Sequence, residues 1–542
     1  ELYISDLNQR DLWQLCVDAE DGKVLQKTNL TIECGSGHTC TDDHGAGRSH
    51  HQNSPGLPHS NGGNAALANC ASGQTYSVYA IPLESPYYGA QSTVCDPADA
   101  AASPNGWHDR DGAPGPDVFT TDGNNVYAYY AGSGPLSGYS PTGGTGLEFV
   151  FPHDPNDPDP FAYTDASLTN LYYVNNVLHD MLHHYGFDEA SGNFQNHNYS
   201  GLGLATDVVK ARGFTSTVCN AFMSTPPDGT SGTMSMYVCN SSGVQRDGNF
   251  DNLVVAHEFG HGISKRLVGG AGNTSVLFNQ EQMGEGWSDW YGLMISLGPN
   301  DSPTMPRGAG TYLFNQGPGG PGIRPFPYST DKTVNPHTYL DIAGVSVPHG
   351  VGSVWCAMLW ELTWGLIDEY GYSADFYTGT GGNNIALNLV TEALKLTPNS
   401  PGFVDGRDAI LTADQAIYGG ANRCIIWRAF AKRGLGVSAD QGSPSSRSDG
   451  SEAFDLPSDC DCTPIYETKR VASDEESGDI FGWDVDVLCN LVLAGAPNEE
   501  SGGSNAGAAY LFRRNFFNGW SQSQKFVAPD ATAGDQFGRS GA

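Results

Sequence analysis

Basic residues are scarce in this sequence. Lys and Arg number 26 against 60 Asp and Glu, a formal net charge of −34 over 542 residues. A phosphate backbone needs a basic face, so this balance excludes nucleic acid as a partner. The acidity favours solubility and leaves room for Ca2+ sites without locating one. Long apolar runs are missing too, and none reaches the length of a bilayer span, so the chain is not expected to be membrane-spanning. Cysteine is sparse: 12 at this length are too few for a disulfide scaffold. None stands in a paired zinc-finger spacing, and they suit scattered bridges in an oxidising compartment. No apolar leader follows Glu1, and Gly541 and Ala542 stop inside a repeat, so the expectation is a fragment of a longer precursor. What is plentiful is glycine and proline, 70 and 32, which point to many turns and loops. A hydrophobic fraction of 39% supports a sizeable core and one large domain with smaller pieces.

Residues 11–33 alternate polar and apolar around Glu20-Asp21-Gly22, the pattern of a β-hairpin. Residues 35–74 lack periodicity and read as a linker. Its histidines (His38, His44, His50, His51, His59) fit either a solvated loop or a metal tract. Strands and loops are expected to about residue 160. Helical spacing then appears at 167–186 and near 252–266, 281–297, 350–370, 384–396 and 407–434. A strand-rich first half and a helical second half make an α+β chain. A Ser-, Pro-, Asp- and Gly-rich stretch at 441–462 reads as a second linker. Beyond it, Lys469 to Gly482 matches Lys525 to Gly538 at 8 of 14 positions, a period of 56 residues. With the strand-like run Leu491-Val492-Leu493-Ala494-Gly495, this suggests blades of a β-propeller, too few to close one.

The chemistry centres on His257-Glu258-Phe259-Gly260-His261, after the apolar run Leu253-Val254-Val255-Ala256. On a helix, positions four apart share a face, so both imidazoles can hold one zinc with Glu258 beside the metal-bound water. Glu285 follows His257 by 28 residues in Gly284-Glu285-Gly286-Trp287-Ser288-Asp289. There it can be the third ligand, and Asp289, one turn on, can accept the free ring N–H of a ligating histidine. The bland alternative is an acidic helix start, since Glu281 and Glu285 also suit a helix N-terminus. His179-Asp180-Met181-Leu182-His183 mimics the motif, but an aspartate follows its first histidine and it reads as structural. His349, ahead of the apolar helix through Trp355, Leu359 and Leu362, fits a donor to a developing oxyanion and equally a capping role. Asn220 and Ala221 open a strand before the turn Pro226-Pro227-Asp228-Gly229. An exposed edge there could pair with an extended substrate; a plain structural strand is the simpler alternative.

Across these blocks the sequence resembles the fungalysin family of secreted metallopeptidases, relatives of thermolysin. The likeness runs over roughly 75–440: Tyr79–Pro86, Tyr172–Gln195, Asp247–Leu267, Gly284–Asp289, Gly322–Asp341, His349–Trp355 and Asp405–Val437. It implies a thermolysin-like two-lobed fold with a β-rich N-terminal lobe and a mostly helical C-terminal lobe. It implies one catalytic Zn2+ held by His257, His261 and Glu285, with Glu258 as general base. It makes His349 a transition-state donor, and Asn220 and Ala221 contacts to the substrate backbone. A tyrosine near the oxyanion, usual in such enzymes, has no assignable position. The family often has Tyr and Thr where this chain has Phe259 and Gly260.

Residues 11–33 resemble the end of the family's inhibitory propeptide, and the tail resembles FG-GAP repeats of integrin-type propellers. The implied organisation is propeptide end at 1–34, linker with a processing site at 35–74, peptidase at 75–440, linker at 441–462 and repeats at 463–542. The implied function is a secreted, extracellular zinc endopeptidase made as a zymogen. Its partners are protein and peptide substrates and its own propeptide, with a tail suited to an extracellular surface. The competing expectations are an inert core carried by an adhesive tail, and a zinc exopeptidase, for which no terminus-capturing signature is present.

Overall fold

The computed structural model describes residues 2–5, 12–17, 24–29, 70, 73–215, 217, 219–240, 243–460, 470–488, 491–514 and 520–540. The five linker histidines lie outside them. Contacts divide the chain into two units, Pro58–Leu456 and a second formed by Glu1–Leu57 with Pro457–Ala542.

In the second unit, β1 (Leu2–Ser5), β2 (Leu12–Val17) and β3 (Val24–Asn29) form an antiparallel sheet in that order. β2 and β3 pair from Trp13↔Asn29 to Val17↔Val24, the hairpin the alternation predicts.

The larger unit opens with β4 (Thr75–Val78), flanked by antiparallel β5 (Ser92–Cys95) and parallel β7 (Glu148–Phe149). The bridge Cys70–Cys95 staples the entry to β4. A second sheet has the order β6-β8-β10-β9, from β6 (Val126–Tyr130), β8 (Val209–Gly213), β9 (Ala221–Ser224) and β10 (Thr233–Met236). Its edge is β9, antiparallel to β10, and Cys219–Cys239 ties the chain ahead of β9 to the strand that follows β10. That strand, β11 (Val238–Cys239), pairs with β12 (Arg246–Asp247).

Between the sheets and the helical lobe runs α1 (Thr164–His183), buried along nearly its whole length. Its Asp180 accepts from Trp107 Nε1 and Ser103 Oγ, each at 2.7 Å, and from the Asp99 amide at 2.9 Å. His179 is tied to Asp180 through Nδ1 at 2.8 Å and to Asn193 through Nε2 at 3.1 Å. Both its nitrogens are taken, and the mimic motif is a hydrogen-bond hub.

The helical lobe holds α2 (Asn252–Leu267), α3 (Gly284–Ile295), α4 (His349–Tyr370), α5 (Gly382–Leu396), α6 (Phe403–Tyr418) and α7 (Arg423–Lys432). The predicted single helix over 407–434 is two. Gly419 and Gly420 take φ of +63° and +82°, a left-handed exit that ends α6, and Asp414 accepts from the Asn422 backbone at 3.1 Å to start the next turn. α4 is long and apolar enough to cross a membrane, but 89% of its apolar window is buried, so it is the core helix of the lobe. Beyond α7 the chain stays attached to the lobe: Leu435 and Asp440 bridge to Ala453 and Ser451, and the Glu281 amide donates to Pro444 O at 3.1 Å.

After Leu456, β13 (Val485–Leu488), β14 (Leu491–Ala496), β15 (Ala508–Arg514) and β16 (Trp520–Phe526) form an antiparallel meander. Its small core includes Ala494, Ala508, Tyr510 and Phe512. Phe481 of the first repeat packs edge-on against Tyr510 and Phe512. The whole is α+β with the thermolysin-like sequence of lobes, strands first and helices after, followed by β repeats.

Candidate active site

The site grows from α2. Asp251 caps it, its side chain accepting from the Val254 amide at 3.2 Å. The apolar run that follows drives the helix into the core, where every residue of α2 is buried except His261 and Lys265. α3 crosses α2 closely because Gly260 has no side chain: a Cβ there would stand 2.8 Å from Ser288 Cα. α4 meets α3 the same way. A Cβ on Gly352 would fall 2.4 Å from Glu285 Cβ, and one on Gly286 would fall 2.3 Å from Gly352 O. Two glycine contacts therefore set where Glu285 sits.

The result is a convergence. One donor atom each from His257, His261 and Glu285 lie within 4.8 Å of one another. Glu285 oxygens are 3.4 Å from His257 Nε2 and 3.5 Å from His261 Nε2. His349, at the first turn of α4 and 61% exposed, places Nε2 3.6 Å from Glu285 Oε1. Glu258 is buried, and its Oε2 has no hydrogen-bond partner among the described residues. Asp289, one turn along α3 from Glu285, accepts from His257 Nδ1 at 2.7 Å. Asn220 and Ala221 lie at the start of β9, the free edge of the sheet, and the next strand residues run beside α2: Met223 Cε is 3.4 Å from where a Gly262 Cβ would be.

The electrostatics follow from burial and neighbours. Burial opposes a charge on His257, but its bonds to Asp289 and Glu285 outweigh that and raise its pKa to about 10. His261 is lowered to about 3 by loss of solvent around its ring and then by the His257 cation. Burial raises the Glu258 carboxyl to about 7, with the nearby Glu285 charge adding to it and His257 opposing. Glu285 and Asp289 stay well below the usual carboxylate range despite burial. For Glu285 the opposing cause is His257, then His261 and Arg324; for Asp289 it is Arg324, then His257.

Two residues of this network carry no assignment in the sequence reading. The buried Arg324 donates to Asp289 Oδ2 through Nε at 2.6 Å, to Asp289 Oδ1 through Nη2 at 2.8 Å and to Glu285 Oε2 at 3.2 Å. Tyr328 OH donates to Asp289 Oδ2. Both sit in a Gly- and Pro-rich loop with no periodicity. The available signal was an arginine enclosed by Gly322, Ile323, Pro325 and Phe326, with no acid nearby in sequence. Glu281 is elsewhere engaged, accepting from Tyr339 OH at 2.8 Å and the Phe403 amide at 3.1 Å at the start of α6.

A His-Glu-x-x-His helix crossed by a glutamate-bearing helix, beneath a strand-rich lobe, is the arrangement of the thermolysin-like metallopeptidases. The chain belongs to the fungalysin metallopeptidase family, whose match covers residues 75–439. An FG-GAP repeat match covers 466–512. Relatives include the extracellular metalloproteinase MEP of Fusarium vanettenii, 40% identical over 397 residues, which are 71% of this chain and 61% of that protein. Those of Neosartorya fischeri and Aspergillus fumigatus are also 40% identical, over 68% and 67% of this chain and 59% and 58% of their own lengths. The chain thus spans less than two thirds of the curated relatives it matches.

The family implies a metal, and the donor set fits one. A tetrahedral zinc with bonds of about 2.1 Å holds its donors about 3.4 Å apart, and Glu285 reaches His257 Nε2 at 3.4 Å through Oε2 and His261 Nε2 at 3.5 Å through Oε1. Among the described residues the buried Glu258 Oε2 has no partner, so it is an acceptor still open to a proton donor such as water.

Proposed function

We propose that this chain is a secreted, extracellular zinc endopeptidase that hydrolyses protein and peptide substrates, with Glu258 as general base. His257 Nε2, His261 Nε2 and one Glu285 oxygen would hold the ion. Bound zinc supplies Lewis acidity toward the scissile carbonyl and brings the pKa of water to about 7. The residues do the rest. Asp289 accepts the Nδ1 proton of His257, fixing the tautomer that leaves Nε2 free for metal. Arg324 offsets the charge of Asp289 and steadies Glu285. Glu258 takes the proton of the attacking water and hands it to the departing amine. His349, open to solvent at the lip of the site, donates to the developing oxyanion. Asn220 and Ala221 offer the free edge of β9 to the substrate backbone.

The observation that carries this reading is the meeting of His257, His261 and Glu285 beside a buried, partnerless Glu258. Secretion is supported by the Cys70–Cys95 and Cys219–Cys239 bridges and by relatives named extracellular. In the same reading, residues 1–34 end an inhibitory propeptide, a cut within 35–74 releases the peptidase at 75–440, and the repeats at 463–542 bind an extracellular surface. Metal analysis with casein digestion tests the core of it. Stoichiometric zinc, loss of digestion with a chelator and recovery with added zinc are expected; digestion that persists in metal-free protein overturns it.

A further inference from the structure

We propose that Lys265 is a specificity-determining residue, selecting substrates with an acidic side chain close to the scissile bond. The inference rests on the peptidase reading and adds a preference to it. Lys265 and His261 are the two residues of α2 that reach solvent; all the others are buried. The solvent-open strip of the catalytic helix is therefore a histidine and, one turn on, an ammonium group. At about 100° per residue, Lys265 falls about 40° from His261 and about 20° from Glu258 around the helix axis. It prolongs the catalytic face. Arg266, next in sequence, is turned away and fully engaged with Asp207 at 2.9 Å and Asp228 at 3.2 Å.

Lys265 makes no hydrogen bond or ion pair among the described residues. Its field reaches Glu258 and Glu285, yet Glu258 Oε2 remains without a partner, so the ammonium does not spend itself on the catalytic base. Burial lowers its pKa, with the charges of Glu258 and Glu285 opposing. In a chain of net charge −34, an unpaired cation beside the reacting centre is a marked local reversal of sign. It also lies next to Gly262, the α2 position that touches Met223 of β9, so an extended substrate paired with that edge would carry its side chains past it. The chemistry that answers is a carboxylate, from Asp or Glu in the substrate.

The test uses matched fluorogenic peptides that differ only in Glu, Gln or Lys at each of the two positions on either side of the scissile bond. For the full chain, the best position should show kcat/KM about tenfold higher for Glu than for Gln, the scale of one partly desolvated charged hydrogen bond. Lys265→Met should bring that ratio to near one, and Lys265→Glu should reverse it in favour of Lys. Equal loss on every peptide, or an unchanged ratio, overturns the proposal. Because both outcomes need cleavage, the same peptides are also bound to the Glu258→Gln protein and read by fluorescence anisotropy. A Glu-over-Gln affinity difference that vanishes with Lys265→Met supports recognition even if turnover fails, and its absence there rejects recognition separately from the peptidase reading.

Discussion

In the proposed reading, Glu258 is buried and basic at once. Burial beside Glu285 raises its carboxyl to about 7, which suits a group that must take a proton and return it. Glu258→Gln should keep stoichiometric zinc while kcat falls by about 10²–10⁴-fold, measured by metal analysis and single-turnover cleavage on the same preparation. The neighbouring imidazoles make a second prediction. Without metal, His257 has its pKa raised to about 10 and is protonated at pH 8.5, His261 is lowered to about 3 and neutral, and Glu258, at about 7, is mostly ionised. Zinc requires neutral imidazole. Binding at pH 8.5 should therefore release about two protons, one from His257 and one from the zinc-bound water, and the His257 share should vanish as pH rises beyond about 10. Calorimetry in buffers of different ionisation enthalpy counts it. A third concerns Arg324. Arg324→Met leaves Asp289 charged and buried without its cation, which should cost about 3–5 kcal/mol of stability and weaken zinc about 10–100-fold. Denaturant melts and zinc titration measure the two losses. The meeting of His257, His261, Glu285 and Asp289 was legible in the sequence because His257/His261 and Glu285/Asp289 each lie four apart on one helical face, where spacing is geometry. Arg324 and Tyr328 were not, because a loop without period gives no hint of which distant carboxylate it closes on.

Helix contacts, more than helix identities, decide whether those residues meet. α2, α3 and α4 were visible in the apolar periodicity to within a few residues. The glycines at their crossings carried no such meaning in one dimension, since Gly260, Gly286 and Gly352 matter only for what stands opposite. Gly352→Ala should test this. Its methyl group would meet Glu285 Cβ at 2.4 Å and the Gly286 amide at 2.6 Å, and relief requires α3 and α4 to part. Overpacking of this kind costs about 1–3 kcal/mol. The protein should remain folded, yet zinc affinity and cleavage should fall together, because Glu285 moves with the helix. The reverse error also has a cause. Helical propensity runs through 407–434 with one interruption, and Gly419-Gly420 stops the helix there by its backbone sign, a feature that composition averages away. Strand order was the least legible. β8 lies between two parallel neighbours while β9 turns back to the edge, and such pairing is chosen by the core beneath.

At the scale of the whole chain, catalysis and attachment are separable in the proposed reading. A chain that stops after Cys462 should fold and cut a short peptide at a rate close to that of the full chain, because none of the site residues lies beyond α4; thermal melts and peptide kinetics would show otherwise. The mature N-terminus should lie between residues 35 and 75, read by N-terminal sequencing after reduction. Here the bridge that staples β4 has a consequence for how such a protease would be switched on. Cys70 closes on Cys95, inside the peptidase unit, and so cannot tether an upstream fragment. A cut ahead of Cys70 therefore leaves this bridge whole, and the oxidising surroundings that keep it closed would hold the new N-terminus stapled to the peptidase sheet.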